Sequence, residues 1–477
     1  MRTEPTPVPN TENGTDGLPA GQPRHVSPWT GEPGTVGTVA VVGMGKIGLP
    51  LAAQYAERGW HVIGVDVLPD VVAKLNEGRV HFDEEPGLAE KVAAAHAAGR
   101  FEATAVHRDA VSRADVVVMI VPLMLSDEQE PDYRIMDRAT AALAVGLRAG
   151  TLVLYETTLP VGDTRRRFGP ALEHGSGLRA GDPDLGFLLG FSPERVYSGR
   201  IFRDLATYPK LVGGIDAESG RRAEAFYRSA LPESAEVWLL SNAEAAEFAK
   251  LAETTYRDVN IALANEFARY AERMNVDILE VIRGANSQPF SHIHQPGIGV
   301  GGHCIPVYPH FLLSRAKEME IVETSRRTNQ DQVGHAVKIV QTALGGLEGV
   351  PVLVLGLTYR ENVKELAYSR ALPLIERLAF HGARVSAYDP LLTAEEIERC
   401  CAAPWPWGEP APFRAIVTQT ADPLWRQLDL GAFRELEVLY DGRNSLRELA
   451  LPDRVSYFGV GVPSRVRRAT VAPTGRS

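Results

Sequence analysis

The chain has 477 residues, which is too many for one hydrophobic core, so two or three domains are expected. Its apolar content of 44% and charged content of 23% are those of an ordinary globular protein. The formal net charge of −10, with no basic cluster in the sequence, argues against nucleic acid as a partner.

The N-terminal stretch 1–36 is rich in Pro, Gly, Thr and Asn and offers almost nothing to bury, so a disordered tail is predicted there. Order is expected to begin with Thr38–Val42, because a continuous apolar, β-branched run is typical of a buried parallel strand.

A glycine-rich turn, G-M-G-K-I-G at 43–48, follows this strand and opens an amphipathic helix, and the next strand ends at Asp66. A bare G-x-G-x-x-G is weak, but this context favours a dinucleotide site over a glycine turn in an unrelated α/β unit. The first glycine would form the turn, the second would admit the pyrophosphate, and the helix N-terminus would add positive potential. The Asp66 carboxylate would bind the ribose and repel a 2′-phosphate, which predicts NAD rather than NADP. The residues assigned to the cofactor here are Gly43, Gly45, Lys46, Ile47, Gly48 and Asp66.

Three further apolar runs continue the doubly wound pattern, at 115–121, 151–155 and 188–191. The carboxyl ends of the strands of an open α/β sheet line its ligand crevice. The residues that follow these strands and are expected to face the crevice are Pro122, Glu156 and Glu194, and the residues assigned to cofactor binding in this region are Pro122, Glu156 and Thr158.

A long helix is predicted from Ala243 to Met274, since its apolar spacing is helical and it contains few breakers. Such a helix spans between domains or packs against its counterpart in a second subunit, so a homodimer is predicted. Lys250 lies on this helix, and a solvated surface lysine is the alternative to a functional role.

The stretch from Gly297 to Pro309 contains four glycines, two prolines and Cys304, so no regular element can run through it. A thiol in a loop rich in free N–H groups can have its thiolate stabilised and act as a nucleophile. The alternative is that Cys304 is a small buried apolar side chain.

A second α/β unit begins with a strand at Pro351–Leu355, and further strands are predicted at 383–388 and 437–440. Arg360 and Arg443 both follow strand ends, where guanidinium groups can bind phosphate. Two nucleotide-type domains joined by a long helix imply two nucleotide ligands.

Cysteine usage and hydropathy indicate the compartment. Three cysteines, without metal-ligand spacing, are too few for a disulfide framework, so reduced thiols and no metal site are expected. No apolar run approaches the roughly 20 residues needed to span a bilayer, and no signal-peptide pattern is found, so a cytoplasmic protein without a membrane partner is predicted.

Eight motifs occur in a fixed order along the chain: V-V-G-M-G-K-I-G-L-P-L-A, E-E-P-G-L, E-T-T-L-P-V-G, S-P-E-R-V, K-L-A-E-T-T-Y-R-D-V-N-I-A-L-A-N-E, G-V-G-G-H-C-I-P-V, G-L-T-Y-R and Y-D-G-R-N. With them the chain resembles the UDP-glucose, UDP-N-acetylmannosamine and GDP-mannose dehydrogenase family, and looks most like the branch acting on UDP-N-acetylhexosamines. The resemblance implies an α/β fold of two Rossmann-like doubly wound domains joined by a long central helix. The expected segments are a tail (1–36), an NAD-binding domain (37–235), a central helical domain with the cysteine loop (236–345), a nucleotide-sugar-binding domain (346–465) and a second tail (466–477).

The resemblance also implies an activity, which is oxidation of the C6 alcohol of a nucleotide sugar to a carboxylate with two NAD molecules in succession. Cys304 would form a thiohemiacetal and then a thioester, Lys250 would stabilise oxyanion character, and Glu194 would do acid–base work on water. The residues implied in substrate binding are Arg195, Thr254, Gly299, Gly301, Gly302, Tyr308, Arg360 and Arg443.

Several positions depart from the family pattern. Tyr308 and Thr254 replace an aspartate and an asparagine, and Leu123 replaces a threonine, at groups that position water or hold the oxyanion. Phe290 and Ala367 replace arginines that bind substrate and cofactor, and Arg360 stands where the family usually has lysine. These changes leave four interpretations open: oxidation of a changed substrate, an altered outcome at C6, a two-electron oxidation of an unusual sugar or a nucleoside, and a non-catalytic binding protein.

Overall fold

The computed structural model of the protein describes residues 27, 29–82 and 84–466. Most of the two predicted tails (1–36 and 466–477) lies outside these residues, namely 1–26, 28 and 467–477. From Trp29 onward the prediction of a tail without structure is wrong. The Trp29 side chain is 5% exposed and packs edge-to-face on Trp60, with ring centroids 5.3 Å apart. The guanidinium of Arg222 donates a hydrogen bond to the Trp29 carbonyl oxygen.

The first sheet is eight-stranded and contains all but two of the first ten strands. These ten are β1 (Thr38–Val42), β2 (His61–Val65), β3 (Phe101–Thr104), β4 (Val116–Met119), β5 (Met124–Leu125), β6 (Pro131–Asp132), β7 (Leu152–Tyr155), β8 (Leu188–Phe191), β9 (Lys210–Gly214) and β10 (Val237–Leu239). The sheet order is β10-β9-β8-β7-β4-β1-β2-β3, and β5 pairs with β6 separately. Only the β8–β9 pair of this sheet is antiparallel, so the carboxyl ends of six strands meet at one edge while β9 and β10 run the other way.

Helices cover both faces of this sheet, as its buried apolar strands require. They are α1 (Gly48–Glu57), α2 (Pro69–Asn76), α3 (Leu88–Ala97), α4 (His107–Arg113), α5 (Arg134–Ala144), α6 (Gly169–Ser176), α7 (Ile201–Thr207) and α8 (Ala217–Ala230), with a π-helical turn at Thr164–Phe168. The strand β1 has the predicted bounds, and β2 ends directly before Asp66, because each is a short apolar run between a turn and a glycine or acidic residue.

Four helices form the middle of the chain: α9 (Ala243–Met274), α10 (Ile278–Ala285), α11 (Tyr308–Leu313) and α12 (Glu320–Leu344). The 32-residue α9 begins and ends where it was predicted. The Asn242 side chain accepts a hydrogen bond from the N–H of Ala245 at its start, and Asn275 ends it in the left-handed conformation with φ 53°. Against α12, α9 buries an ion pair between Asp258 and Arg326, with N and O 3.0 Å apart.

The second sheet is six-stranded and wholly parallel. Its strands are β11 (Pro351–Leu355), β12 (Arg384–Tyr388), β13 (Ala403–Pro404), β14 (Ala415–Thr418), β15 (Val438–Asp441) and β16 (Ser456–Gly459), in the order β13-β12-β11-β14-β15-β16. The helices α13 (Ala371–Phe380) and α14 (Ala394–Arg399) and a 3₁₀ turn at Pro423–Gln427 accompany it. The predicted fold class, an α/β protein with two doubly wound units and a long central helix, is confirmed. Among the described residues, no helix is both long and apolar enough to span a bilayer.

Candidate active site

The glycine turn after β1 has the geometry of a dinucleotide site. Gly43 has φ +101°, and a Cβ there would lie 2.7 Å from the Ile120 carbonyl oxygen. A Cβ on Gly48 would lie 1.8 Å from the Gly43 carbonyl oxygen, so only glycine lets α1 start this close to the turn. By contrast, a Cβ on Gly45 would meet no atom within 4 Å. The space in front of Gly45 is therefore open to a ligand, which is what close approach of a pyrophosphate requires.

Asp66 follows β2 and faces this turn. One carboxylate oxygen accepts a hydrogen bond from the Met44 N–H and the other accepts one from the Leu68 N–H, both at 3.0 Å. The carboxylate is held in place and keeps lone pairs for a ribose diol. Lys46 is exposed and pairs with Glu84 at 3.2 Å, while Ile47 is partly buried against the core. Pro122 lies exposed beyond the end of β4.

The Cys304 thiol is exposed, which excludes the interpretation of Cys304 as a buried apolar side chain. The backbone carbonyl oxygen of Cys304 accepts a hydrogen bond from the Tyr308 N–H at 2.9 Å, at the start of α11. The same turn brings the Tyr308 hydroxyl to 3.8 Å from the sulfur. Burial, with the adjacent thiol, raises the pKa of Tyr308 far above its usual value, and a hydrogen bond with Thr158 opposes this only in part. The residue next to the thiol is therefore a neutral phenol.

Lys250 on α9 is 7% exposed, which excludes a solvated surface lysine. Its ammonium lies 3.3 Å from the Glu253 carboxylate and 6.0 Å from the Tyr308 ring centroid. Glu253 also pairs with Arg195 at 2.8 Å, so one carboxylate holds both cations in place. The Thr254 hydroxyl donates to the Lys250 carbonyl oxygen at 3.1 Å, and its proton is used within the helix.

Glu194 follows β8 and its carboxylate has fixed partners. One oxygen accepts hydrogen bonds from the N–H groups of Arg195 at 2.6 Å and Val196 at 3.1 Å. The other lies 2.8 Å from the Lys210 ammonium. Burial alone would raise the pKa of Glu194, but the charge of Lys210, these hydrogen bonds and the charge of Lys250 hold the pKa below its usual value.

Glu156 corrects one prediction, because its carboxylate does not face the crevice. The residue still pairs in register with β4, since its N–H donates to the Met119 carbonyl oxygen at 3.0 Å. Its side chain therefore points to the sheet face covered by α1 and α8. There it is fully buried, accepts hydrogen bonds from the hydroxyls of Tyr55 and Tyr227, and lies 3.2 Å from the Lys210 ammonium. Burial raises the pKa of Glu156 despite that ammonium.

The glycines before Cys304 let the loop pack directly on the second unit. Gly299 has φ +131° and Gly302 has φ +89°. A Cβ on either residue would come 3.0 Å from the Arg370 Nε or the Tyr359 ring, respectively, and one on Gly301 would come 2.9 Å from the Tyr368 carbonyl oxygen. The loop thus lines the cleft between the two units.

The two arginines named from the second unit border the same cleft. Arg360 donates to the Tyr359 hydroxyl at 2.8 Å, and its guanidinium stands 4.5 Å from the ring centroid of Tyr197 in the first unit. Arg443 donates to the Gln419 carbonyl oxygen at 2.9 Å, and a Cβ on Gly297 would lie 2.7 Å from its guanidinium. Burial lowers the pKa of Arg443, yet a guanidinium remains charged.

Three residues of the site were missed by sequence reasoning: Tyr197, Lys210 and Glu253. Lys210 begins β9, a strand that was not predicted. Glu253 belongs to the motif that starts at Lys250, and Tyr197 directly follows the motif S-P-E-R-V. A charged residue within a recognised motif, or an aromatic residue next to one, is the signal that could have identified Glu253 and Tyr197. The described residues contain no cluster of three metal-ligating side chains, and the three cysteines are free thiols.

Comparison with known proteins matches three domain models in the same order as the structure. They are the NAD binding domain (residues 37–231), the central domain (244–331) and the UDP binding domain (353–448) of the UDP-glucose/GDP-mannose dehydrogenase family. The chain belongs to this family. It is thus an NAD-dependent nucleotide-sugar dehydrogenase, of a family that oxidises its substrates in two steps to the uronate.

Relatives of this dehydrogenase fit the UDP-N-acetylhexosamine branch. The chain is 34% identical to the UDP-N-acetyl-D-mannosamine dehydrogenase of Pyrococcus horikoshii over 86% of this chain and 96% of that protein. It is 33% identical to the NDP-N-acetyl-D-galactosaminuronic acid dehydrogenase of Ralstonia nicotianae over 72% of this chain and 80% of that one. The solved structure of the Pyrococcus horikoshii dehydrogenase superposes with a TM-score of 0.79, covering 89% of this chain and 99% of that one. The comparisons do not favour the interpretation as a non-catalytic binding protein.

Proposed function

We propose that this dehydrogenase oxidises the C6 alcohol of a UDP-N-acetylhexosamine and that Cys304 is its nucleophile. The observation that carries the proposal is that the exposed Cys304 thiol and the buried Lys250 ammonium both lie near Tyr308, and that the charge of Lys250 also acts on the Glu194 carboxylate. Such a grouping suits covalent catalysis at an aldehyde.

The chemistry of each residue follows from its position. The Lys250 ammonium stabilises negative charge on the C6 oxygen when the alcohol loses its proton, and again when the Cys304 thiolate adds to the aldehyde. Loss of a second hydride converts the thiohemiacetal into a thioester. Attack of water on the thioester breaks the C–S bond, releases the carboxylate and returns the thiol. Glu194 is the carboxylate that accepts a proton from this water.

Gly43, Gly45, Gly48 and Asp66 would hold NAD, since the open space at Gly45 and the fixed Asp66 carboxylate fit a pyrophosphate and a ribose diol. When bound, NAD supplies the hydride acceptor for each oxidation. Arg443 and Arg360 offer fixed guanidinium groups at the cleft, which suits the diphosphate of the nucleotide sugar. Arg195 shares Glu253 with Lys250, and the Thr254 hydroxyl donates to the Lys250 carbonyl oxygen, so both residues would contact the sugar if Lys250 binds its C6 oxygen.

The test is a panel of UDP- and GDP-sugars, with products identified by mass spectrometry and NADH counted by absorbance. We expect a uronate and two NADH from a UDP-N-acetylhexosamine. A Cys304→Ser variant is expected to lose uronate formation while NAD still raises its melting temperature. Cys401→Ser is the matched control, because Cys401 is also an exposed thiol but lies in the second unit. Uronate formation by Cys304→Ser at the wild-type rate would contradict the proposal.

We also propose that the enzyme is a homodimer joined through α9. Large apolar or aromatic side chains at helical spacing are exposed along one side of this helix. They are Tyr256 (54%), Leu263 (43%), Phe267 (40%), Tyr270 (56%) and Met274 (55%). A second copy would bury this row against itself across a two-fold axis. The cytoplasm, which keeps thiols such as Cys304 reduced, is the compartment that suits the chemistry.

A further inference from the structure

We propose that Lys210 is a positioning residue for Glu194, which fixes the orientation of the Glu194 carboxylate and keeps it ionised during turnover. The inference rests on the proposed role of Glu194 as the base that activates water. Lys210 itself does not reach the cleft, because its side chain is only 4% exposed. Its effect on the reaction is therefore exerted through Glu194.

The contacts of Lys210 define a buried bridge between two carboxylates. Lys210 is the first residue of β9, and its ammonium lies 2.8 Å from Glu194 and 3.2 Å from Glu156. The ammonium also lies 4.8 Å from the ring centroid of Tyr227. The bridge joins the ends of two strands, since Glu156 follows β7 and Glu194 follows β8. Both carboxylates are thus anchored to one cation beneath the carboxyl edge of the sheet.

The charges of this bridge do not cancel. Two carboxylates share one ammonium. Neutral donors complete each site: the hydroxyls of Tyr55 and Tyr227 for Glu156, and the N–H groups of Arg195 and Val196 for Glu194. Glu156 is wholly buried, whereas 12% of the Glu194 side chain is exposed. Removing the cation would leave two carboxylates in one buried site, and at least one of them would have to take up a proton.

Other charged and titratable groups face Glu194 from each neighbouring element. They are Arg195 beside it, Lys250 on α9, Tyr55 on α1, Tyr227 on α8, Glu156 after β7 and Asp204 on α7. Arg195 is paired with Glu253, and Lys250 is paired with the same residue. Lys210 is the cation whose ammonium makes direct contact with the Glu194 carboxylate among these groups.

The test is the pH dependence of the steady-state kcat in four variants, because kcat is expected to be limited by hydrolysis of the thioester, the step in which Glu194 acts. Lys210→Met removes the cation, so we expect the acidic limb of the profile to move to higher pH by about one to three units. Lys210→Arg keeps a cation and should return the limb most of the way to the wild-type position. Glu156→Gln alters the same buried bridge but removes a repelling charge, so its limb should stay in place or move to lower pH.

Glu194→Gln separates this inference from the proposed function. If the acidic limb persists unchanged in Glu194→Gln, Glu194 is not the base and the proposed function fails at that point. If that limb disappears in Glu194→Gln but stays in place in Lys210→Met, the role of Glu194 stands and the role of Lys210 is refuted. The rate could also fall without movement of the acidic limb in all three bridge variants, Lys210→Met, Lys210→Arg and Glu156→Gln. That result would mean that the bridge is merely structural, and it would refute the proposed role of Lys210.

Melting temperature with and without NAD controls for folding. Should Lys210→Met fail to fold, the double variant Lys210→Met/Glu156→Gln removes one charge of each sign from the bridge. Its limb should still move to higher pH than that of Glu156→Gln alone, because the direct contact to Glu194 is lost. Coincident limbs in these two variants would overturn the proposal.

Discussion

Tyr308 is the residue whose replacement tests the chemistry of the site most directly. Its hydroxyl lies 3.8 Å from the Cys304 sulfur, so a thioester formed on that sulfur lies within reach of the side chain at position 308. Because burial raises the pKa of Tyr308 far above neutrality, the phenol cannot take a proton from water. Hydrolysis of the thioester then depends on Glu194, whose carboxylate is already held by two N–H groups and Lys210.

The magnitude follows from what a positioned base contributes. General base catalysis typically accelerates a step by about 10²–10⁴-fold, which corresponds to roughly 3–5 kcal/mol of barrier. We therefore expect hydrolysis to limit wild-type turnover. Tyr308→Asp, which places a carboxylate beside the thiol, should raise the steady-state rate by about ten-fold or more. Tyr308→Phe is the matched control, because it keeps the ring and adds no base.

The assay is rapid mixing of enzyme, NAD and a UDP-N-acetylhexosamine, followed by absorbance. Wild type and Tyr308→Phe should show a burst of two NADH per subunit before a slower steady state. Intact-protein mass spectrometry should find an adduct that is absent from the Cys304→Ser variant. If wild type shows neither burst nor adduct and Tyr308→Asp is no faster, a phenol at this position does not impede hydrolysis and the reasoning is wrong.

Three further predictions concern the cofactor, the pH dependence of stability and the assembly. Asp66→Ala should lower the ratio of kcat/KM with NAD to kcat/KM with NADP at least ten-fold. Asp70→Ala, on the exposed start of α2, should leave this ratio unchanged. Comparable use of NAD and NADP by wild type would refute the assignment of NAD as the cofactor. Burial raises the pKa of Glu247 from 4.5 to about 7, so its contribution to stability is present below about pH 4.5 and is lost as pH rises through 7. The loss amounts to about 3 kcal/mol. Glu247→Gln should therefore reduce the pH dependence of the free energy of unfolding, measured in urea, between about pH 5 and 8. Phe267→Glu should convert the dimer to a monomer, as measured by light scattering. Phe380→Glu, on an 84% exposed side chain of α13, should leave the dimer intact. A monomeric wild type at micromolar concentration would exclude the dimer.

The fold class and the cofactor turn could be predicted because their signals are local. The turn at 43–48 requires glycine within a few residues of a strand and a helix, and α9 carries its own capping residues, Asn242 and Asn275, in the sequence. Such features depend on backbone geometry and on neighbours along the chain. The family motifs extended this knowledge to Cys304 and Lys250, and in the structure both side chains lie near Tyr308.

Tertiary structure alone decided which side of the sheet each polar residue faces. Glu156 was expected at the crevice because it follows a strand. However, it still pairs in register with β4, so its carboxylate lies on the sheet face covered by α1 and α8. Lys210 lies 54 residues along the chain from Glu156, and Trp29 packs on Trp60 between α1 and β2. A sequence pattern records burial and periodicity over short distances, whereas the partner of a buried charge is fixed by the packing of strands and helices that are distant in the chain.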